Sequence, residues 1–576
     1  MDITASNPKI SQKSDHRGPN GYLWLAGLVL FIASLLVSGY QLYSNNHAMQ
    51  IPYVQRLVDP SLFPDDPFIK TFDNYIGPIW QIIAFSTAFV RLETTLLILF
   101  LITRALILLA AARLSQSLVP GSNLAAVGAM AFFALAPSPV IGHGTLVINY
   151  FEHTGLSVAF LMLAAAAFYS KRTFLWSIFF AVGFNLNILY GTYACLYFAA
   201  VFLLLPEYRT YWKKWLIPAG IFFGLSLITI IPTASSAKLE TINAGLWLKA
   251  SRVRHPFHIF PLTWSALQII VYSAFVLVFL IVILAFRKEM SKLSNFGLIW
   301  LAVSIFWLIF AFTAAYFFKS PAMLILQSTR GTDLWFATAA VAIISIFAYK
   351  ISEAGPYQRL YIILFYISIF WLNYFYFSQL TMLFLLVLTA LVFLKPTREY
   401  MQKHGVTLVL SSVVVLMVLV FGILSVNNRL NEGIRFVGML TLPDAQMVEI
   451  AGWAGKNTGK GAVFLVDPNW EEFRGLSKRP VFVAWKDGTA IFWDQAYVQE
   501  WVERIEAFGF DFNEAKLGTT KGSSQLSRLY ERMDDESVRE ILGNYPVHYW
   551  VAAVDKTSTF PEVFRTVRFK VLELNP

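Results

Sequence analysis

The sequence predicts an α-helical polytopic membrane protein with a C-terminal soluble α/β domain. Of its 576 residues, 57% are hydrophobic and 14% are charged, whereas about a quarter of the residues of a soluble domain are charged. Runs of roughly twenty apolar residues, the length that a helix needs to cross a bilayer, recur as far as residue 426. Beyond that point they stop, and the pattern changes to short apolar runs separated by amphipathic helices.

The charges are divided unevenly between these two parts. Residues 1–426 contain 27 Lys and Arg against 14 Asp and Glu, whereas the remainder contains 18 against 21. The basic excess therefore belongs to the membrane part, where it is typical of cytoplasmic loops, and it argues against nucleic acid as a partner. Cys195 is the only cysteine, which excludes an intrachain disulfide and a cysteine zinc site.

The first apolar run, residues 22–40, follows a polar, basic segment. It is longer than the apolar region of a typical signal peptide, so we expect it to be retained as a first span behind a cytoplasmic tail of residues 1–21. The membrane domain then comprises residues 22–426, and residues 427–576 form the C-terminal domain.

Thirteen spans are predicted in the membrane domain. They cover residues 22–40, 92–113, 122–142, 154–169, 173–189, 191–206, 215–232, 264–286, 296–318, 332–349, 360–377, 379–394 and 406–426. With the amino terminus inside, the basic turns between spans lie on the cytoplasmic side. The odd number of spans then places the C-terminal domain in the periplasm or another extracytoplasmic space, and the location implied is the cell inner membrane.

The segment 173–205 is short for two crossings, and its bend carries Asn185, Asn187, Tyr190 and Gly191. A bend below the outer surface predicts a water-filled depression there, because polar backbone at that depth must line a cavity or be buried in protein. The alternative is a tight hairpin in a thin region of the membrane.

The first outward loop, residues 51–78, holds two adjacent carboxylates between prolines. Pro64 and Pro67 flank Asp65 and Asp66 and prevent a continuous helix there. Because close like charges raise the pKa of one of the two groups, the pair is a candidate for a general base or a metal ligand. The alternative is an acidic turn that caps the helix following it.

Cations are concentrated in the third outward loop, residues 233–263. The candidate ligand-binding residues in this loop are Arg252, Arg254, His255 and His258. Cations on the outward side run against the positive-inside trend, and an anionic phosphate headgroup is a natural ligand for them. Arg330, at the outer mouth of a later span, is a second phosphate candidate, and the alternative is a structural ion pair with Asp333, three residues further on. The alternative is that long basic side chains of the loop reach toward the lipid interface.

Arg104 falls near the middle of the second span. An unpaired charge at that depth costs about 2.5–3.5 kcal/mol on insertion scales. We therefore expect Arg104 to face the interior of the helix bundle.

The C-terminal domain shows the pattern of an α/β fold. The predicted elements are a helix over 443–456, a strand over 462–466, a strand over 481–485, a helix over 494–508, and strands over 547–553 and 567–574. No glycine-rich phosphate loop opens any of these helices, so the sequence does not indicate a nucleotide-binding domain.

This plan resembles the GT-C superfamily of membrane glycosyltransferases, which includes oligosaccharyltransferases and protein mannosyltransferases. The acidic pair in the first outward loop, the thirteen spans and the exported α/β domain carry the resemblance. Three stretches also look like an uncharacterised family of bacterial multispan proteins with an exported tail domain. They are Leu62–Phe68, Arg254–His258, and Phe473-Arg474 followed by Ser477, Arg479 and Lys486.

The GT-C resemblance implies roles for several residues. A carboxylate of the first outward loop activates the acceptor in that superfamily, and the matching positions are Asp66 and Asp65. Metal-dependent members add acidic ligands from the second outward loop, where this chain offers only Glu152 beside His153. A divalent metal ion, if one is bound, would be held by these two residues together with the aspartate pair. Members with polyprenyl-phosphate donors place cations near the phosphate. The Arg252–His258 stretch could supply such cations, although it shares no sequence motif with them.

The function implied is transfer of a sugar at the outer face of the membrane from a polyprenyl-phosphate-linked donor. Asp66 would act as the general base with Asp65 as its neighbour, and the cations named above would steady the phosphate leaving group. The expected partners are membrane lipids and the lipid-linked donor. Two alternatives stay open: a lipid or polysaccharide transporter that binds phosphate without chemistry, and a non-catalytic envelope assembly protein of GT-C-like fold.

Overall fold

The computed structural model describes most of the chain. The residues described are 21–43, 45–75, 77–135, 139–140, 143–236, 243–353, 443–514 and 519–574. They are mainly helical, and a four-stranded sheet lies near the carboxyl end. The predicted class, a polytopic helical protein with a C-terminal α/β domain, is confirmed.

Ten of the predicted spans coincide with helices. These helices are Gly21–Ser38, Leu92–Leu118, Asn123–Leu135, His153–Tyr169, Thr173–Leu186, Ile188–Leu204, Lys213–Ser236, Ala266–Ala285, Ser291–Thr313 and Thr332–Glu353. Within the described residues, 5 helical stretches are long and apolar enough to cross a membrane, and further apolar helices are shorter. The predicted spans at 360–377, 379–394 and 406–426 lie outside the described residues.

Short elements form the turns between these spans. The short helices are His47–Val58, Pro67–Lys70, Pro78–Ser86, Pro206–Arg209, Ala244–Arg254, Pro256–Ile259 and Pro321–Leu324. Most begin with proline, whose fixed φ and missing N–H suit the first position of a helix. Tighter helical turns occupy Thr71–Asn74, Pro261–Thr263 and Ser328–Gly331, a π-helical turn occupies Ala314–Phe318, and strands Pro139–Val140 and His143–Thr145 pair antiparallel.

Small residues let the helices of the bundle approach closely. A Cβ atom placed on Gly183 would come within 2.9 Å of the Leu161 side chain, so only glycine fits where helix Thr173–Leu186 crosses helix His153–Tyr169. Ser157 reinforces this crossing by donating its hydroxyl to the Gly183 carbonyl at 2.7 Å. The crossing fixes the position of the bend that follows helix Thr173–Leu186.

Arg104 faces the interior of the bundle, as predicted. It is 4% exposed, and its guanidinium donates to the Ile148 carbonyl at 2.6 Å. The guanidinium also lies over the Phe100 ring, 5.2 Å from the ring centre. A buried cation thus holds the backbone of the second outward loop a few residues before Glu152.

The C-terminal domain packs helices against a small mixed sheet. Its helices are Ala445–Asn457, Phe473–Ser477, Tyr497–Glu506, Thr519–Arg532 and Asp535–Asn544, and its strands in spatial order are Phe464–Leu465, Tyr549–Ala553, Phe569–Glu573 and Glu562–Arg565. The first pair of strands is parallel and the other two pairs are antiparallel. The helices predicted over 443–456 and 494–508 and the strands predicted over 462–466, 547–553 and 567–574 are therefore confirmed with shorter bounds.

The strand predicted over 481–485 is wrong. Val481 forms only an isolated parallel bridge with Phe464, and a helical turn, Trp485–Phe492, begins where the strand should end. The cause is Asp487, whose carboxylate accepts the Ala484 N–H at 2.9 Å and caps the turn. The chain therefore bends away from the sheet and toward the membrane domain.

The loops predicted to share the outward side lie together at one end of the bundle. For example, the Gln41 N–H donates to the Asn149 carbonyl at 2.8 Å. Basic turns lie at the other end, where Lys171 pairs with Glu207 at 3.4 Å. The C-terminal domain packs on the end that carries the outward loops, where Arg474 donates to Asp66 of the first loop.

Candidate functional site

The third outward loop holds the backbone of one stretch of the C-terminal domain, residues 485–491, which we call the docking segment. The Trp247 indole N–H donates to the Ile491 carbonyl at 3.0 Å. The Arg254 Nε–H donates to the Trp485 carbonyl at 2.8 Å. Both ends of the docking segment are thus fixed by side chains that the membrane domain supplies.

Arg254 and His255 are buried in this contact. Arg254 is 4% exposed, and its guanidinium lies over the Trp485 ring. Burial lowers the pKa of Arg254 to about 10, so the side chain stays charged at neutral pH. The His255 Nε2 atom lies 3.3 Å from the Gly488 carbonyl oxygen, and burial, followed by the Arg254 charge, lowers the pKa of His255 well below its ordinary value. These two side chains bind the C-terminal domain, and a contact with phosphate stays a prediction for them.

Asp66 takes part in a buried network of three charged groups. It is 1% exposed, and its Oδ2 atom accepts the Arg474 Nε–H at 2.8 Å. Arg474 in turn donates to both oxygens of Asp487, at 2.9 and 2.8 Å. Burial alone would lower the pKa of Arg474, but the charges of Asp487 and Asp66 raise it overall. The first outward loop is therefore anchored to the C-terminal domain through Asp66.

The second carboxylate of the pair has different surroundings. The Asp65 side chain is 82% exposed and pairs with Lys70 at 3.2 Å. The Asp66 Oδ1 atom accepts the Ile69 N–H at 3.2 Å, so Asp66 caps the helix Pro67–Lys70, as the alternative interpretation expected. The two carboxylates thus have different cationic partners, and a catalytic role for either one stays a prediction.

The remaining predicted cations divide between the surface and a partly buried contact. Arg252 is exposed. His258 and Arg330 are half-buried, and the His258 Nε2 atom lies 3.5 Å from a guanidinium nitrogen of Arg330. The Thr329 hydroxyl donates to the His258 carbonyl, which joins the two outward loops. The structure therefore brings His258 and Arg330 together, and the His255 ring lies 5.8 Å from the His258 ring.

Tyrosines of helix Ile188–Leu204 hold the turn that carries Arg330. The Tyr193 hydroxyl donates to the Gln327 carbonyl at 3.1 Å. The Tyr197 hydroxyl donates to the Gly331 carbonyl at 2.8 Å. Arg330 is thus placed between two backbone positions that the bundle fixes.

The bend predicted between helices Thr173–Leu186 and Ile188–Leu204 is confirmed at Asn187. Its side chain accepts the N–H groups at the start of the second helix and donates to the Thr154 hydroxyl at 2.9 Å. That hydroxyl donates to Glu152 Oε1 at 2.8 Å. The bend therefore orients the Glu152 carboxylate. The water-filled depression predicted there stays a prediction.

Lys486 and Glu471 of the C-terminal domain lie near these loop residues. Both are half-buried. Burial lowers the pKa of Lys486 to about 8, although the charge of Glu471 opposes this shift. Burial raises the pKa of Glu471. Among the residues that the structure describes, neither side chain has a hydrogen-bonding or ion-pair partner.

Four charged groups from separate parts of the chain influence one another here, and we call them the four-charge cluster: Glu152, Arg330, Glu471 and Lys486. The charges of Glu471, Arg254, Glu152 and Arg330 all act on Lys486, in that order of strength. Ionisable groups whose pKa values are shifted by burial and by specific charged neighbours, as those of Lys486 and Glu471 are, are typical of binding and catalytic sites. The cluster is therefore the candidate functional site.

Sequence reasoning identified Glu152 and Arg330 as candidates but missed Glu471 and Lys486. The incorrect strand over 481–485 placed this segment in the sheet of the C-terminal domain rather than on the membrane domain. A signal was present, because Lys486 belongs to the stretch that resembles the uncharacterised bacterial family.

The four residues considered as metal ligands do not come together as a set. Asp66 is held by Arg474, and Asp65 is exposed beside Lys70. Only Glu152 and His153 are adjacent, with His153 Nδ1 3.6 Å from the Glu152 carboxylate. Within the described residues, no three His, Cys, Asp or Glu side chains form a group suited to a metal ion. These residues therefore do not fit a divalent metal centre.

Comparison with known proteins gives limited matches. Residues 445–508 match a family described as a domain of unknown function, DUF6798. This stretch contains Glu471, Arg474 and Lys486 but is a small part of the chain. No curated protein matches the sequence.

Three solved structures have a similar arrangement. The chain is similar to ArnT from Cupriavidus metallidurans in the apo state, with 11% identity over 96% of this chain and 98% of that chain and a TM-score of 0.41. It is similar to the Archaeoglobus fulgidus oligosaccharyltransferase in the apo form, with 11% identity over 93% of this chain and 70% of that chain and a TM-score of 0.46. It is also similar to the same ArnT bound to undecaprenyl phosphate, with 13% identity over 96% of this chain and 97% of that chain and a TM-score of 0.40. At these scores the likeness gives no guide to the chemistry of this chain.

Proposed function

We propose that this chain is a glycosyltransferase that acts at the outer face of the membrane and takes its sugar from a polyprenyl-phosphate-linked donor. The observation that carries the proposal is the four-charge cluster, in which the charges of Glu471, Glu152 and Arg330, from different parts of the chain, act on Lys486. Transfer from a sugar phosphate needs both kinds of group. A base must accept the proton of the acceptor hydroxyl, and cations must stabilise the phosphate that leaves.

Glu152 is the base that the geometry favours. Its side chain is 12% exposed, and Thr154 and Asn187 hold it in place. In the proposed step the acceptor oxygen attacks the anomeric carbon, and its proton passes to the Glu152 carboxylate. The bond between that carbon and the phosphate oxygen breaks, and the oxygen keeps the electron pair. Asp66 remains the second candidate, but it would first have to be released by Arg474.

Arg330 is the cation that the geometry favours for the phosphate. Its Nε–H has no hydrogen-bond partner in the described part of the chain. Its charge and that of Glu152 both act on the Tyr150 hydroxyl, whose pKa burial raises. The guanidinium and the candidate base therefore both lie near Tyr150, and His258 next to Arg330 can add a second donor to the phosphate.

The test is transfer activity in lipid vesicles. The donor is first identified by mass spectrometry of lipids that copurify with the full-length protein, and transfer is then measured with that lipid. A positioned base contributes about a hundred- to ten-thousand-fold in rate, so Glu152→Gln should lower transfer by about that factor while the unfolding temperature stays unchanged. The matched control is Glu449→Gln, which changes an exposed carboxylate of the C-terminal domain.

Wild-type turnover in Glu152→Gln would exclude Glu152 as the base. Absence of any transfer in the wild-type protein, with the copurified lipid as donor and a range of hydroxyl acceptors, would count against the proposed reaction as a whole.

A second candidate function is binding of a lipid phosphate without chemistry, either for transport or for assembly of envelope components. The observation that favours it is the buried ion pair between Asp66 and Arg474, which leaves Asp66 without access to a substrate. Vesicle assays separate the two functions. Movement of a labelled lipid across the bilayer without a new glycosidic bond would favour transport.

A further inference from the structure

The C-terminal domain brings a lysine into the four-charge cluster, and the residues on both sides of that lysine are held by hydrogen bonds. The carbonyl of Trp485 accepts a hydrogen bond from Arg254 at 2.8 Å. The side chain of Asp487 accepts two from Arg474, at 2.9 and 2.8 Å. Lys486 lies between these two anchored residues. Its position is therefore set by the contact between the two domains.

The Lys486 ammonium differs from other lysines that contact the outward loops. Lys460 pairs with Asp59 at 2.7 Å, and Lys70 pairs with Asp65 at 3.2 Å. Both of these pairs are well exposed, whereas Lys486 is half-buried and has no hydrogen-bonding or ion-pair partner within the described residues. A partly buried cation without a partner is unfavourable. The Glu471 and Glu152 charges act on Lys486 without a direct ion pair, so a bound anion would give the ammonium a direct partner, and shifted ionisable groups of this kind cluster at functional sites.

We propose that Lys486 is an anion-binding residue that the C-terminal domain contributes to the membrane site, and that its ligand is a phosphate group. This inference rests on the proposed function, because it concerns the same site. Lysine is a compact charge that suits phosphate, and Arg330 supplies a second cation of the cluster. The phosphate belongs either to a lipid headgroup or to a free phosphate ion, since both present the same chemistry.

The charge of Lys486 changes in an accessible pH range. Burial lowers its pKa to about 8, and the charged groups that face it are Glu471, Arg254, Glu152 and Arg330. The ammonium is charged below this pH and loses its charge as the pH rises through it. Phosphate binding by the wild-type protein should therefore weaken above this pH. Lys486→Arg should remove this loss, because arginine stays charged.

The experiment measures binding by the full-length protein in detergent micelles, with dodecyl phosphate and inorganic phosphate as separate probes. A hydrogen bond to a charged group is typically worth enough to change affinity by about tenfold or more, so Lys486→Met should weaken binding by about that factor, whereas Lys486→Arg should retain it. Lys456→Met is the matched control, since Lys456 is an exposed lysine of the same domain. Titrations at about pH 7 and about pH 9.5 then test the charge dependence.

The two probes distinguish the sources of the phosphate. Binding of dodecyl phosphate alone supports a lipid headgroup, and equal binding of both probes supports a free phosphate. In either case the inference requires that the affinity depend on Lys486.

Thermal unfolding separates a binding role from a structural one. Loss of an unpaired charge should leave the unfolding temperature of Lys486→Met unchanged or higher. If Lys486→Met does not fold, the pH dependence of Lys486→Arg still decides the matter.

Wild-type affinity in Lys486→Met, or an unchanged loss of affinity at high pH in Lys486→Arg, would overturn the inference even if glycosyl transfer is found. Conversely, binding that depends on Lys486 in a protein without transfer activity would support the inference and count against the proposed reaction.

Discussion

At the scale of single residues, Asp66 illustrates how a carboxylate that sequence reasoning assigns to catalysis can serve as an anchor. Its Oδ2 atom is 2.8 Å from Arg474 Nε, and both side chains are nearly fully buried. Removing one partner of a buried ion pair typically costs about 3–5 kcal/mol, because the other charge loses its compensation. Asp487 remains beside Arg474, so the loss here should fall at the lower end of that range.

We therefore predict that Asp66→Asn lowers the unfolding temperature of the protein in detergent. The control is Asp65→Asn, which should leave the unfolding temperature unchanged because the Asp65 side chain is 82% exposed. Thermal unfolding and transfer activity should be measured on the same preparations. An Asp66→Asn variant with wild-type stability and no transfer would instead identify Asp66 as the base.

For single cationic residues, the sequence does not distinguish the possible binding partners. Outward-facing cations predicted a phosphate ligand, and for Arg330 and His258 this role stays a prediction. Arg254 and His255 belong to the same stretch, yet they bind carbonyl groups of the docking segment. A cationic side chain suits a carbonyl oxygen as well as a phosphate oxygen, so the sequence alone could not separate the two uses.

Among the helices and turns, the bend at Asn187 links the start of a helix to the candidate site. The Asn187 side chain caps helix Ile188–Leu204 and also donates to Thr154, which holds Glu152. These two functions can be separated by substitution. Serine retains a capping oxygen but is too short to reach Thr154, whereas alanine loses both contacts.

We predict that Asn187→Ala lowers stability by about 0.5–2 kcal/mol, the usual value of an N-cap, and lowers transfer. Asn187→Ser should retain most of the stability and lose transfer to a similar extent, because Glu152 loses its support in both variants. Thermal unfolding and transfer rates provide the measurements. Full transfer activity in Asn187→Ser would show that the link to Thr154 does not position the base.

Elements also differ in how well the sequence predicted them. The spans were predictable because a helix in lipid must satisfy its own backbone and cover itself with apolar side chains, and both requirements are local. The segment 481–485 was not predictable from its apolar pattern. The conformation of this segment depends on the cap that Asp487 provides. It also depends on the hydrogen bond between Arg474 and Asp66, two residues that lie far apart in the sequence.

At the scale of the whole molecule, the candidate site exists only because two domains meet. Glu152 and Arg330 come from the membrane domain, and Glu471 and Lys486 come from the C-terminal domain. Arg254 and Asp66 fasten the domains together on either side of Lys486. A sequence pattern reflects residues that are close along the chain. It could therefore indicate candidate residues within each domain, but not that the two domains bring them together.

The orientation of the molecule in the membrane can be measured by labelling single cysteines. Asp65 and Lys456 are exposed on the outward loops and the C-terminal domain, and Arg209 is exposed in a turn at the opposite end of the bundle. Cys195 is the only cysteine, so its replacement by alanine gives a background for single cysteines at these three positions. A membrane-impermeant maleimide added to intact spheroplasts should label cysteines at 65 and 456, whereas a cysteine at 209 should react only after lysis. Labelling at 65 and 456 from opposite sides would contradict the docking of the C-terminal domain on the outward loops, because the Asp66–Arg474 ion pair requires both on one side of the membrane.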